Sequence, residues 1–66
     1  MQIVLNGESH DIADDATLSE LIGTLDLQTT RYAVEINEEL IPRSEHATHA
    51  LQADDRIEIV QAIGGG

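Results

Sequence analysis

The sequence predicts an α+β fold in which a mixed sheet of four to five strands packs on one helix. An Asn6-Gly7 turn signal joins two short strands, one amphipathic helix follows, and alternating strand-like segments fill the rest. This order, with the first and last strands adjacent at the centre of the sheet, is typical of the ubiquitin-like β-grasp. The 66 residues are enough for one domain with a single core.

The first hairpin and the helix have the most regular patterns. In QIVLNGESHDI, alternation places Ile3 and Leu5 on one face, and Ile12 is the only strongly apolar residue of the second strand. The helix is predicted to begin after Thr17, which forms a capping-box pattern with Glu20. Its apolar residues recur at helical spacing and predict one stripe that faces the core: Leu18, Leu21, Ile22 and Leu25.

The second half of the chain predicts three further strands. RYAVEIN and RIEIVQAI alternate in polarity, and their inward residues are Val34, Ile36, Ile57 and Ile59. LIPR is predicted to be a short extended segment at a sheet edge or strand end, because proline donates no backbone hydrogen bond. Residues 43–55 are predicted to be irregular, with a helical turn, and to be anchored in the core by Leu51.

The final segment QAIGGG raises the question of what a strip of glycines does. We expect residues 1–63 to form the β-grasp domain and residues 64–66 to form a flexible tail, because glycine has no side chain to pack. Such a strip passes through a channel too narrow for a Cβ atom, so Gly64, Gly65 and Gly66 are expected to thread into a partner. The reactive group is the α-carboxylate of Gly66, for which ATP-dependent adenylation is the natural activation. The alternative is a frayed end or a linker remnant.

The composition disfavours several functions. The chain has 13 acidic residues, three arginines and no lysine, and its formal net charge is −10. This charge disfavours nucleic acid and anionic membranes as partners, and it fits either solubility or steering toward a basic protein surface. Because the chain has no lysine, copies of this protein cannot be linked to one another through lysine side chains. The lack of cysteine excludes disulfides and thiolate metal sites. With no leader and no membrane span in the sequence, we expect a cytoplasmic protein that is monomeric when free.

No catalytic constellation is found in the sequence. His46 and His49, together with Glu45, have a spacing that resembles metal ligands, but the spacing is unspecific and a solvated loop explains it better. The acidic pairs at 14–15 and 54–55 indicate capping and turn chemistry instead of a calcium loop. We therefore expect no catalytic residue, no metal site and no bound cofactor.

Four segments together resemble the bacterial ThiS family, the sulfur carriers of thiamin thiazole synthesis: QIVLNGE, TLSELIGTLDL, VEINEELIPRSEH and DRIEIVQAIGGG. The similarity covers the whole chain, and the spacing Asn37-x-x-x-Ile41-Pro42-Arg43 favours this family over related ubiquitin-like proteins. Two departures bear on stability more than on function. The turn before the last strand has Asp-Asp where Gly-Asp is common, and the central hairpin lacks glycine.

The resemblance implies a specific chemistry at the tail. A ThiF-like adenylating enzyme would use ATP to form an acyl-adenylate on Gly66. Sulfur from a cysteine desulfurase or related persulfide donor would convert this terminus to a thiocarboxylate, and the thiazole synthase ThiG would take the sulfur. The chain itself would be a protein co-substrate and not an enzyme.

Partner docking is expected on the sheet face beside the tail. Ile63 lies at the root of the predicted tail, and alternation turns Val4, Glu35 and Val60 outward, where they are expected to neighbour one another. Arg43 is expected to add to the same surface. Ordinary exposed valines are the alternative explanation for Val4 and Val60.

Three other functions are compatible with the sequence. These are a sulfur carrier like the small subunit of molybdopterin synthase, a ubiquitin-like modifier joined to target proteins, and a non-covalent β-grasp interaction module. Deleting Gly65 and Gly66 would leave only the last of these functions intact.

Overall fold

The computed structural model describes residues 1–27 and 30–61, and it contains one five-stranded sheet. The elements are β1 (Gln2–Leu5), β2 (Glu8–Asp11), α1 (Leu18–Gly23), β3 (Tyr32–Ile36), β4 (Glu39–Leu40), a 3-10 helix (Arg43–Glu45) and β5 (Arg56–Gln61). The strand order is β2-β1-β5-β3-β4. β1 and β5 are parallel, and the other neighbours are antiparallel. The predicted mixed sheet with one helix and β-grasp connectivity is confirmed.

The first hairpin turns at Asn6 and Gly7, as the sequence predicts. Both residues have positive φ, 49° and 83°, which is the requirement of a two-residue type I′ turn. Asn6 also connects this turn to the central strand. Its backbone N–H donates to Ile57 O at 2.8 Å, and its Oδ1 accepts from the N–H of Ile59 at 2.8 Å.

The helix begins with the predicted capping box. Thr17 accepts a hydrogen bond from the N–H of Glu20, and the Glu20 side chain accepts one from the N–H of Thr17. The next free N–H groups of the helix, on Leu18 and Ser19, donate to carbonyl groups of the loop at residues 46–49. The loop therefore satisfies donors that a helix start leaves without intrahelical partners.

The core lies between α1 and the inner face of the sheet. Full burial of an aliphatic side chain contributes about 1.5–3 kcal/mol to folding. The predicted inward residues of β3 and β5 are all buried, and Leu51 is buried at 4 % exposure. Ile22 is only partly buried. Leu25, which was predicted in the helix stripe, lies beyond the end of α1 at Gly23 but still packs against the core. The core residues are Ile3, Leu18, Leu21, Val34, Ile36, Ile41, Leu51, Ile57 and Ile59.

Two turns without glycine are stabilised by side-chain hydrogen bonds between them. Asn37 has φ 53°, and it donates from Nδ2 to Asp55 Oδ1 at 3.0 Å while accepting from the N–H of Arg56 at 3.0 Å. The buried carboxylate of Asp55 also accepts from the N–H of Gln52 at 2.8 Å. Asp54 adopts φ 69°, a backbone conformation that favours glycine. The prediction of turn chemistry for the Asp54–Asp55 pair is confirmed.

One local prediction was wrong, and another is confirmed only in part. The predicted solvated loop does not extend to His46, which is 6 % exposed. Its ring Nε2 lies 3.1 Å from Ile41 O, and its ring stacks on Tyr32 with centroids 6.2 Å apart. For LIPR, the predicted position at a sheet edge and strand end is confirmed, because β4 is an edge strand that ends at Leu40. The strand itself includes only the first residue of LIPR, since Ile41 is buried in the core and Pro42 precedes the 3-10 helix.

In the described part of the chain, no helix has the length and apolar character needed to cross a bilayer.

Candidate functional site at the end of the central strand

The central strand β5 directs the chain toward the predicted tail. Gln61, its last residue, pairs with Tyr32 at the start of β3, so the chain leaves the middle of the sheet at this end. The described part stops there. The predictions for the tail and its root therefore lie outside the described residues: Ile63, Gly64, Gly65 and Gly66.

The outer face of the sheet combines apolar and acidic side chains. Glu35 lies directly opposite Glu58 of β5 and, on its other side, opposite Leu40 of β4. Val60 and Leu40 are 61 % and 63 % exposed. The predicted outward orientation of Glu35 and Val60 is confirmed. Leu40 was missed, because a two-residue strand gives too little alternation to assign a face.

The predicted proximity of Val4 to Val60 is wrong. In the parallel pair of β1 and β5, Val4 lies opposite Arg56, whereas Val60 lies four residues farther along β5. That spacing corresponds to about 13 Å along a strand. The half-buried Val4 therefore belongs to the opposite end of the outer face.

Arg43 is held at the end of the sheet from which the predicted tail emerges. Its guanidinium carbon lies 4.4 Å from the centre of the Tyr32 ring, and its Nη2 donates to Thr30 O at 2.8 Å. It thereby lines a depression of about 460 Å³ that also contains Val60. The full lining consists of Thr30, Arg31, Tyr32, Ala33, Arg43, Val60 and Gln61. Of these lining residues, Arg43 and Val60 were predicted from the sequence to take part in docking, whereas Arg31 and Tyr32 were not.

A second depression on the outer face has the opposite charge. It has a volume of about 440 Å³ and is lined by Glu35, Glu38, Arg56 and Glu58. Three carboxylates and one guanidinium give this surface a net negative charge. The acidic depression and the arginine-lined depression are therefore two distinct electrostatic surfaces near β5.

Comparison with known proteins shows the family of the chain. The ThiS family model matches residues 3–66. The chain belongs to the ThiS family. The sulfur carrier protein ThiS of Escherichia coli is 36 % identical over 66 residues, and the match covers all of both chains. A crystal structure of the thiamine biosynthesis protein ThiS from Geobacter metallireducens has a TM-score of 0.85 and 26 % identity, with complete coverage of both chains.

Two longer relatives contain a segment similar to this ThiS-family chain. Thiazole synthases from Paramagnetospirillum magneticum and Magnetococcus marinus are 39 % and 41 % identical to it over 66 residues. The chain spans only 20 % of the length of each of these proteins. A ThiS-like segment and a thiazole synthase are thus parts of one polypeptide in these two relatives.

The described surface of this ThiS-family chain has two open depressions beside β5. Within residues 1–27 and 30–61, no three His, Cys, Asp or Glu side chains are grouped as metal ligands. Both depressions at the sheet are open surfaces that combine charged side chains with exposed β-strand residues. The resemblance to ThiS proteins stated from the sequence, and the ubiquitin-like β-grasp it implies, are confirmed.

Proposed function

We propose that this ThiS-family chain is a sulfur carrier that bears its sulfur as a thiocarboxylate on Gly66. The observation that carries the proposal is the family match through residue 66, together with the complete alignment to the sulfur carrier protein of E. coli. The sulfur is donated for the thiazole ring of thiamin.

The proposed reaction needs a partner enzyme and ATP at the tail. A carboxylate oxygen of Gly66 attacks the α-phosphate of ATP, and pyrophosphate leaves to give an acyl-adenylate. A persulfide from a cysteine desulfurase or related donor then attacks the acyl carbon and displaces AMP. A thiol cleaves the resulting acyl disulfide, which leaves the thiocarboxylate on the chain and a disulfide on the donor side. In this scheme the ThiF-like partner holds ATP, and the chain is a co-substrate without a catalytic site of its own.

The exposed sheet surface is the proposed docking site for these partners. Val60 and Glu35 lie on the outer face, and Arg43 lines the same depression as Gln61, the last described residue. Ile63 is proposed to be gripped by the partner where the tail begins. The two thiazole synthases that contain a ThiS-like segment support a ThiG-like enzyme as the acceptor of sulfur. The cytoplasmic location expected from the sequence is part of this proposal.

Intact-mass spectrometry tests the proposed function. The chain is incubated with ATP, a ThiF-like enzyme, a cysteine desulfurase and cysteine. We expect a mass gain equal to the replacement of one oxygen by one sulfur, and no gain in a variant that lacks Gly66. An unchanged mass, with both enzymes shown to be active on another carrier, would overturn the proposal.

A further inference from the structure

The positive charge of this chain is concentrated beside the predicted tail. Of its three arginines, Arg31 and Arg43 line the same depression at the end of β5, together with Tyr32. Among the described residues that line this depression there is no acidic side chain, although the chain has 13 acidic residues. We call Arg31, Tyr32 and Arg43 the arginine patch.

Two side chains of the arginine patch, Tyr32 and Arg43, are held by contacts within the fold. The Tyr32 ring contacts both the guanidinium of Arg43, at 4.4 Å, and the ring of the buried His46, at 6.2 Å between centroids. Stacking of a guanidinium on an aromatic ring is favourable and orients the charged group. A cation that is positioned before binding loses less conformational entropy when a partner group arrives.

Arg43 also retains hydrogen-bonding capacity for a ligand. Its Nη2 donates to Thr30 O and, at 3.4 Å, to Tyr32 O. Its Nε and Nη1 groups have no hydrogen-bond partner among residues 1–27 and 30–61. A guanidinium presents its donors in a planar fork that matches a carboxylate, so the chemistry of the patch is that of anion binding.

The position of the patch decides which anion is the occupant. Gly66 is the fifth residue after Gln61, and five fully extended residues span at most roughly 16–18 Å. An adenylate on Gly66 of a threaded tail would therefore lie well beyond the reach of these side chains. A partner's acidic side chain at the mouth of a channel that receives the tail would lie beside Gln61, within reach of the arginine patch.

We propose that the arginine patch binds a carboxylate-bearing segment of the adenylating enzyme at the entrance to its tail-binding channel. This inference rests on the proposed function and adds the chemistry of the contact. The neighbouring acidic depression, at Glu35 and Glu58, meets a basic surface of the same partner. Two contacts of opposite sign at the two ends of β5 fix the direction in which the tail enters, because a reversed orientation places like charges together.

The experiment tests whether removing one positive charge weakens or strengthens binding to the adenylating enzyme. Arg31→Gln, Arg43→Gln and Arg56→Gln each remove one positive charge, and Arg56 is the matched control because it lies in the acidic depression. Binding of each full-length variant to the adenylating enzyme is measured by calorimetry without ATP, with melting temperatures recorded in parallel. We expect R31Q and R43Q to bind about tenfold more weakly, and R56Q to bind equally or more tightly.

Each alternative occupant gives a different result. If the partner surface were uniformly basic, all three variants would bind more tightly than the wild type. If the arginine patch instead held the chain's own terminal carboxylate, R31Q and R43Q would bind more tightly. Equal binding of all three variants, or losses that appear only when ATP is present, would also overturn the inference.

If R43Q folds poorly, two other variants decide the outcome. R31Q is compared with Arg43→Lys, which keeps the positive charge and is expected to lose only part of the affinity. No binding of the wild-type chain would overturn the proposed function as well, whereas wild-type binding with unaffected variants overturns this inference alone.

Discussion

At the scale of single residues, the amino terminus is joined to the segment before the helix. The Met1 ammonium donates to Ile12 O at 2.6 Å and to Asp14 Oδ1 at 2.8 Å. The hydrogen bond with Asp14, supported by the charges of Asp14 and Asp11, raises the pKa of the Met1 ammonium above its ordinary value of 8.0. The same hydrogen bond lowers the pKa of the Asp14 carboxyl below 3.8. An aspartate that the sequence associates with helix capping therefore interacts with the terminal ammonium instead.

The Met1–Asp14 pair predicts a pH dependence of stability with two limits. The raised pKa of Met1 means that its contribution is complete below pH 8.0 and is lost as pH rises through the folded-state value. The lowered pKa of Asp14 means that its contribution is complete above pH 3.8 and is lost as pH falls through its folded-state value. We therefore expect Asp14→Asn to lower the free energy of unfolding between these limits and to converge with the wild type beyond them.

Denaturant unfolding of both proteins across this pH range measures that difference. Asp15→Asn is the matched control, because it removes the adjacent exposed carboxylate and has no hydrogen bond to Met1. A difference between D14N and the wild type that does not change with pH would contradict the assignment of this ion pair.

At the scale of secondary-structure elements, the pairing of β3 with β5 places like charges together. Glu35 and Glu58 lie directly opposite each other on the exposed face. Like charges at directly opposed positions destabilise a sheet, so we expect Glu58→Gln to increase the free energy of unfolding by about 0.2–1 kcal/mol. Chemical denaturation at low ionic strength provides the measurement.

Glu8→Gln is the control for this prediction. It removes the same charge from the edge strand β2, where Glu8 lies opposite the apolar Leu5. If E8Q were as stabilising as E58Q, the effect would come from net charge and not from the cross-strand pair. Under the further inference, E58Q also weakens the contact between the acidic depression and a basic partner surface, so stability and docking change in opposite directions.

Elements defined by local interactions were predictable from the sequence. Asn6-Gly7 specifies its turn through backbone conformation, and the capping box needs only Thr17 and Glu20, three residues apart. The short β4 was not predictable in its bounds, because it depends on pairing with β3 and on the burial of Ile41. His46 was misjudged for the same reason, since its environment comes from residues far from the polar loop that surrounds it in the sequence.

The candidate site was predictable only in part. Alternation correctly turns Glu35 and Val60 outward, because the period of a strand is a local property. It does not give the register between strands, which separates Val4 from Val60. The stacking of Arg43 on Tyr32 joins residues eleven positions apart through the 3-10 helix, and no spacing rule in the sequence indicates it.

At the scale of the whole molecule, the charge distribution opposes compactness. The formal net charge of −10 is carried by a chain of 66 residues, and the sequence pI is about 4.2. Folding brings these carboxylates closer together than they are in the unfolded chain, so their mutual repulsion lowers stability. The ion pairs of Met1 with Asp11 and Asp14 are exposed on the carboxylate side and offset little of it.

Screening of this repulsion predicts that salt stabilises the fold. The Debye length falls from about 30 Å at 0.01 M to about 8 Å at 0.15 M ionic strength, so repulsion between separated carboxylates decreases more than attraction within contacting pairs. If screening contributes about 1 kcal/mol, the melting temperature rises by about 4–8 °C for a domain of this size. Differential scanning calorimetry in sodium chloride measures the change, and the double variant E35Q/E58Q, with two fewer negative charges, is expected to show a smaller rise. A melting temperature that falls with salt would instead mean that attractive pairs dominate the electrostatics of the folded chain.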